Sequence, residues 1–322
     1  MIPAEFSGLH ALARRAQYQP YAVEVLPGDV GRRRYLRLAV GGDRTVLGVV
    51  YPPEEEGARR RWLAARTSLQ EAGVRVPELY AQDPSGSQIL EDFGPEDLAA
   101  RLATRPVDRD LWLDRAARVA SIIADVPDPG INAPFDAAFF SRELDLAREA
   151  VFDLWQGEPL SFEERSVHDE WATSVTCEIE RHPRVLCHRD FHGNNLFPVG
   201  DVVAAIDFQD LRTGPDTYDL ASLLWERTTL DWMTEERGRN VTWEFASRRK
   251  LAADAFARRL DRVLLQRAWK VCGTFARAVA QGRGEIYRRY LPGELALVRR
   301  LLVKPQDARF RELFEFRLGA LC

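Results

Sequence analysis

Polar side chains that suit phosphate chemistry follow two short apolar runs in the stretch VLCHRDFHGNNLFPVGDVVAAIDFQD, residues 185–210. Asp190 comes soon after the first run, Asn195 follows five residues later, and Asp207 ends the second run. A carboxylate at the end of a buried strand is costly unless it is paired or bound to a metal ion. Asn195 and Asp207 would offer two oxygen ligands to Mg²⁺, which completes its coordination shell with phosphate and water. Asp190 could then accept the proton of a hydroxyl group that attacks phosphorus, so the stretch predicts phosphoryl transfer.

The order and spacing of these residues are those of a kinase catalytic loop, His-Arg-Asp followed by Asn and then by a magnesium-binding Asp. The sequence His-Arg-Asp occupies residues 188–190, and we call residues 188–192 the HRD loop. Asp207 is followed by Phe and Gln, where protein kinases have Asp-Phe-Gly. The alternative is that Asp190 and Asp207 cap loops of an ordinary α+β domain.

The elements that must position these residues change character near residue 93. Alternating apolar residues and turn signals predict a small antiparallel sheet over 20–93, with one helix over 54–72. Helical spacing dominates from 94 onward, with short β runs at 185–187 and 203–207. The predicted helices cover 4–17, 95–104, 108–125, 137–155, 162–181, 217–232, 245–282, 285–302 and 307–320. We therefore predict an α+β, bilobal, protein-kinase-like fold. Its N-lobe spans 1–93, and its larger, mainly helical C-lobe spans 94–322 and carries the HRD loop, the metal site and the acceptor pocket.

Composition limits the possible classes of function. The 322 residues are 46% hydrophobic and 29% charged, and their formal net charge of -4 argues against nucleic-acid binding. No window approaches about 18 uninterrupted apolar residues, so we predict no membrane span. The amino terminus lacks the apolar core of a signal peptide. The four cysteines suit neither a zinc site nor a disulfide framework. These features together predict a cytoplasmic protein.

The first 249 residues contain no lysine, since Lys250, Lys270 and Lys304 are the only lysines in the chain. A protein kinase holds the ATP phosphates with a lysine on its third strand. In this chain an arginine, a backbone N–H group or a metal ion must take that role. Arginine offers a bidentate fork to phosphate oxygens. The residues that follow the sequence GDV are our candidates for the phosphate site: Gly31, Arg32, Arg33 and Arg34. The alternative is that the arginines form a solvated strand face.

The segment ILEDFG follows an apolar run and resembles a kinase hinge, whose backbone groups pair with adenine. We predict that Glu91, Asp92 and Phe93 contact the nucleotide base. The alternative is that the segment is only a linker between the lobes.

Several further motifs support a closer resemblance. HRDFHGNNL and IDFQDLRTGPDTYDLASLL resemble the aminoglycoside phosphotransferase family, a branch of the kinase-like fold that acts on small molecules. With GDVGRRRYLRL, AGVRVPELYAQD and QRAWKVCGTFAR, they are most similar to the bacterial kinases that phosphorylate N-acetylmuramic acid and N-acetylglucosamine at the anomeric hydroxyl during cell-wall recycling. The resemblance covers about residues 20–300. It implies that ATP and Mg²⁺ are used, with Asp190 as the base.

The resemblance also implies supporting roles for other residues. Asp219 would brace the HRD loop through hydrogen bonds, and His188 would orient it. Independently of the resemblance, the position of His192 close to Asp190 in the sequence predicts that it contacts the acceptor, and Asp210 would either bind the acceptor or stabilise the loop. We expect the other histidines, His10, His168 and His182, at the surface.

Three functions remain open from the sequence. The first is an anomeric amino-sugar kinase, and the second is another small-molecule kinase of the same superfamily, acting on an aminoglycoside, a different sugar or a choline-like alcohol. The third is a kinase-like binding protein without activity. The expected partners are a sugar acceptor and ATP, with no nucleic acid and no membrane. We expect a monomer, with a dimer as the alternative.

Overall fold

The computed structural model describes residues 3–26, 33–84, 86–282 and 284–322, apart from the side chains of Ala4, Glu285 and Ile286. The chain forms two compact units. The sheet unit comprises Met1–Arg105 and Gly193–Leu211, and the helical unit comprises Pro106–His192 and Arg212–Cys322. The domain limits predicted from the sequence stay a prediction.

The elements are numbered along the chain. The helices are α1 (Ser7–Arg15), α2 (Glu56–Glu71), α3 (Leu98–Thr104), α4 (Arg109–Ile123), α5 (Ala137–Arg148), α6 (Phe162–Glu180), α7 (Tyr218–Leu224), α8 (Glu235–Arg248), α9 (Ala253–Ala280), α10 (Glu285–Leu301) and α11 (Ala308–Leu318). The strands are β1 (Ala22–Leu26), β2 (Arg34–Gly41), β3 (Arg44–Val50), β4 (Leu79–Gln82), β5 (Ser87–Glu91), β6 (Arg184–Cys187), β7 (Leu196–Val199), β8 (Val202–Ala205) and β9 (Arg212–Pro215).

The sheet unit is built on a five-stranded antiparallel sheet in the order β1-β2-β3-β5-β4. The predicted GGD turn joins β2 to β3, and Gly41 and Gly42 there have φ values of 121° and 58°, which favour glycine. The hairpin β7-β8 belongs to the same unit. The antiparallel sheet and the mainly helical remainder confirm the predicted α+β class.

Helix α1 packs against the third strand and explains why that strand carries a glycine. A Cβ atom on Gly48 would lie 2.5 Å from Cδ2 of Leu9, a buried residue of α1. Real Cβ contacts are not that short, so a larger side chain at this position would force the side chain of Leu9 to move. Leu47, the preceding residue of β3, lines the cavity described below.

The helical unit has an aromatic core around α9. Trp171 stacks on Phe310 with ring centroids 4.0 Å apart, and Trp269 is fully buried beside them. The prediction that His168 and His182 lie at the surface is wrong, since their exposed fractions are 0% and 6%. Burial lowers the pKa of each to about 4. His168 lies in α6 and His182 just after it, and that helix carries too many polar residues for the sequence to reveal this burial.

Two predicted helices have different limits in the structure. The predicted helix 217–232 corresponds to α7, which ends at Leu224. The predicted helix 245–282 is two helices, α8 and α9, because the chain turns at Lys250 with a φ of 54°. Within the described ranges, no helix combines the length and apolar character needed to span a bilayer.

Candidate active site

A cavity of about 310 Å³ lies within the sheet unit. Strands β2, β3 and β5 form one part of its wall, and the β7-β8 hairpin with the residues after it forms another. Six residues predicted from the sequence line it: Arg33, Glu91, Asp92, Phe93, Asn195 and Asp207. Gly31 and Arg32 lie outside the described residues, and Arg34 is exposed at the start of β2.

Asn195 and Asp207, the two predicted metal ligands, are brought together by the β7-β8 hairpin. The amide of Ile206 donates a hydrogen bond of 3.0 Å to the carbonyl oxygen of Asn195. Asp207 has a φ of 60°, an uncommon conformation for a residue other than glycine, and its side chain is 38% exposed. The side-chain Nε2 of Gln209 donates a hydrogen bond of 2.8 Å to Oδ1 of Asp207. One amide and one accessible carboxylate in a cavity are a donor set that fits Mg²⁺.

Arg33 lies between two carboxylates at the edge of this cavity. Its Nη2 is 3.8 Å from Oδ1 of Asp207, and its Nε is 3.5 Å from Oε2 of Glu55, just before α2. Its side chain is only 17% exposed and approaches the ring of Tyr51. In protein kinases a strand lysine pairs with a helix glutamate in this way. The sequence pattern identified Arg33 but not Glu55 and Tyr51, because the closeness of these two residues to Arg33 depends on strand pairing.

The acidic side chains of the predicted hinge are held by arginines. Arg37 binds Asp92 through two hydrogen bonds of 2.6 and 3.2 Å, and the amide of Gly94 also donates to Asp92. Burial alone would raise the pKa of Asp92, but these donors lower it. Arg75 pairs with Glu91 and lies over the ring of Phe93. The ion pairs with Arg37 and Arg75 fix the orientation of both acidic side chains in the wall of the cavity.

The HRD loop lies in the helical unit and is held by a buried carboxylate. The amide of His188 donates to Oδ2 of Asp219 at 2.6 Å, and the amide of Arg189 donates to Oδ1 at 3.0 Å. Asp219 is 7% exposed, and burial raises its pKa. Arg267 of α9 donates to the carbonyl oxygen of Arg189 at 3.3 Å and to Ser222 at 2.7 Å. These contacts are what the predicted bracing role of Asp219 requires, and the role itself stays a prediction.

Asp190 remains an ionised carboxylate in this setting. Burial would raise its pKa, but Lys270, Arg189 and Arg267 outweigh that effect and lower it. Its side chain is 31% exposed. A lowered pKa and partial exposure leave the carboxylate charged and accessible at neutral pH.

The other residues of the predicted site fall into both units. Burial lowers the pKa of His192 to about 3, so its ring is neutral, and its amide donates to the carbonyl oxygen of Asp190. His188 is fully buried with its ring edge against Phe191. Asp210 is half-buried in the sheet unit. The structure thus groups His188, Asp190, His192 and Asp219 in the helical unit, and Asn195 and Asp207 with the cavity of the sheet unit.

Comparison with known proteins gives one family. Residues 22–253 match a phosphotransferase enzyme family that includes aminoglycoside phosphotransferases. The chain is 29% identical to an N-acetylmuramate/N-acetylglucosamine kinase of Pseudomonas aeruginosa over 79% of this chain and 76% of that protein. It is 28% identical to a protein of the same name from Neisseria meningitidis, over 85% and 83%.

Solved structures share the fold. A choline/ethanolamine kinase family protein from Mesorhizobium loti superposes with a TM-score of 0.64 at 15% identity, covering 97% of this chain and 98% of that one. An ADP-bound aminoglycoside phosphotransferase gives 0.63 at 14%, covering 96% and 99%. The fold is therefore that of small-molecule kinases.

The contacts of Asp219 lead to a first prediction. Asp219→Asn replaces one acceptor oxygen with a donor, so one of the two loop amides loses its partner. We expect the free energy of unfolding to fall by about 1–3 kcal/mol. Hydrogen–deuterium exchange of the amides of His188 and Arg189 should become at least tenfold faster.

The matched control is Asp216→Asn, because Asp216 is also buried but binds Arg259 instead of the loop. This variant should lose stability while it keeps the exchange protection at residues 188 and 189. Unchanged protection in Asp219→Asn would show that the carboxylate does not hold the HRD loop.

Proposed function

The chain belongs to this phosphotransferase enzyme family and is a small-molecule kinase, and we propose that it transfers the γ-phosphoryl group of ATP to the anomeric hydroxyl of an amino sugar. The acceptors we propose are N-acetylmuramic acid and N-acetylglucosamine, the sugars in the names of its relatives. The observation that carries the proposal is the ionised Asp190 on a loop whose backbone is bound to Asp219.

The phosphate end of ATP would lie in the cavity of the sheet unit. Asn195 and Asp207 would hold Mg²⁺ there, and the ion would neutralise phosphate charge when bound. Arg33 would take the role of the missing strand lysine, because its guanidinium lies beside Asp207 and Glu55. Arginine binds phosphate oxygens through two parallel N–H groups. Leu47 and the other apolar side chains of the cavity would cover the base.

The chemical step needs one proton acceptor. Asp190 would accept the proton of the anomeric hydroxyl as the bond from its oxygen to the γ-phosphorus forms. The bond between that phosphorus and the bridging oxygen breaks, and the bridging oxygen leaves with ADP. Positioning supplies most of the acceleration, since the transition state of phosphoryl transfer is loose. An anomeric hydroxyl is more acidic than an ordinary alcohol, so it demands less of the base.

The proposed reaction requires that the hydroxyl beside Asp190 receives the γ-phosphoryl group. It also sets the biological context that we propose: recovery of cell-wall amino sugars in the cytoplasm, where ATP is available. No nucleic acid or membrane takes part in this reaction.

The base assignment gives a second prediction. We expect ATP consumption with N-acetylmuramic acid or N-acetylglucosamine and little with glucose, choline or kanamycin. Asp190→Asn should lower kcat by about 10²–10⁴-fold, because general base catalysis is lost. Its ATP affinity should stay within threefold of wild type. The exposed Asp231→Asn is the matched control and should keep full turnover. Wild-type turnover in Asp190→Asn would show that the base assignment is wrong.

The phosphate assignment gives a third prediction. Arg33→Met should weaken ATP binding by about 10–100-fold, as expected when a charged hydrogen bond to phosphate is removed. Arg44→Met changes an exposed arginine at the start of β3 and should shift the affinity less than twofold. Isothermal titration with a non-hydrolysable ATP analogue and magnesium measures both. Equal affinities for wild type and Arg33→Met would assign the phosphates to other groups.

A further inference from the structure

Lys270 lies on the face of α9 that contacts the HRD loop. Arg267, one turn earlier on the same face, donates to the carbonyl oxygen of Arg189, the neighbour of Asp190. Gln266, also one turn earlier, donates to Glu143 of α5 at 2.9 Å. Lys270 therefore lies where α9 meets both the loop and α5, and all these residues belong to the helical unit.

The ammonium of Lys270 has no partner that matches its charge. Within the described residues it makes neither a hydrogen bond nor an ion pair, although its side chain is partly buried. Burial lowers its pKa, and the carboxylates of Glu143 and Asp190 oppose that effect. Among the charged neighbours of Asp190, Lys270 lowers its pKa more than Arg189 does, whose Nε is 3.9 Å away. A partly desolvated cation without a partner next to a catalytic carboxylate suggests that a ligand completes its hydrogen bonds.

We propose that Lys270 is a positioning residue of the acceptor site, where its ammonium donates a hydrogen bond to an acceptor oxygen next to the hydroxyl that Asp190 deprotonates. This inference rests on the proposed function. The bond would fix the sugar so that the attacking oxygen faces Asp190. Misplacement of a reacting atom by about 1 Å can cost 10²-fold in rate.

The positive charge of Lys270 also affects which class of acceptor binds. Three cations, Lys270, Arg189 and Arg267, act on Asp190, while Glu143 acts on Lys270, and both Glu143 and Asp219 act on Arg267. A polycationic acceptor would bring an amine against the ammonium of Lys270, and like charges repel each other in a partly buried site. Neutral or anionic oxygen-rich acceptors meet favourable donors instead. Lys270 thus favours an N-acetylated or carboxylated sugar over an acceptor with several free amines.

The test compares Lys270→Met and Lys270→Arg with Lys250→Met, a matched change at an exposed lysine between α8 and α9. We expect Lys270→Met to lower kcat/KM for N-acetylglucosamine about 10–100-fold, mainly through a higher KM, since a charged hydrogen bond is lost. The KM for ATP should not change. Lys270→Arg keeps the charge and should recover most of the loss, and Lys250→Met should match wild type.

The acidic limb of the pH profile of kcat/KM should move to higher pH in Lys270→Met, because Asp190 loses a neighbouring cation.

The outcomes separate this inference from the proposed function. If wild type phosphorylates the sugars and Lys270→Met does so with an unchanged KM and pH profile, the role of Lys270 is wrong and the proposed function stands. If wild type phosphorylates kanamycin as efficiently as N-acetylglucosamine, both are wrong. Thermal unfolding of each variant shows whether a loss comes from misfolding, and recovery in Lys270→Arg is not expected from a purely apolar packing role.

Discussion

The HRD loop depends first on the buried carboxylate of Asp219, which accepts hydrogen bonds from two of its backbone amides. Arg189 has a φ of 82°, a left-handed conformation that costs a residue with a side chain about 1–2 kcal/mol. Asp219 accepts hydrogen bonds from this residue and the one before it, so the strained backbone is stabilised where it occurs. Asp219 stands in the first turn of α7, and α7 packs on α9. The position of Asp190 is therefore set by the packing of two helices, and Arg267 of α9 adds a contact to the same loop.

In the sheet unit, the β7-β8 hairpin holds a second residue whose backbone is left-handed. Asp207 also has a left-handed backbone, and the hydrogen bond from Ile206 to Asn195 ties the two sides of the β7-β8 hairpin together. Trp62 of α2 stacks on Phe208, with ring centroids 5.6 Å apart, and so fixes the residue after Asp207. Oxygen ligands hold a cation only if their separation is constant, and these contacts restrain Asn195 and Asp207, which we propose as ligands.

The sequence predicted the fold class and six of the residues that line the cavity, but not the limits of every helix. The spacing of Asp190, Asn195 and Asp207 is local, and the strands before them are short apolar runs, so both could be recognised directly. The break between α8 and α9 could not, because apolar spacing continues through Lys250 although the backbone turns there. The pairing of Glu55 with Arg33 and the position of Lys270 depend on contacts between residues far apart in the chain. No periodic pattern in one segment can reveal such contacts.

We propose that Asp190 directs phosphoryl transfer to an anomeric oxygen. Phosphorus–proton correlation NMR of the product formed by the wild-type protein from ATP and N-acetylglucosamine tests this proposal most directly. The expected result is one new phosphorus signal that is coupled to the anomeric proton of the sugar. A phosphorus coupled to the protons at carbon 6, or a reaction mixture that contains no phosphorylated sugar, would contradict it.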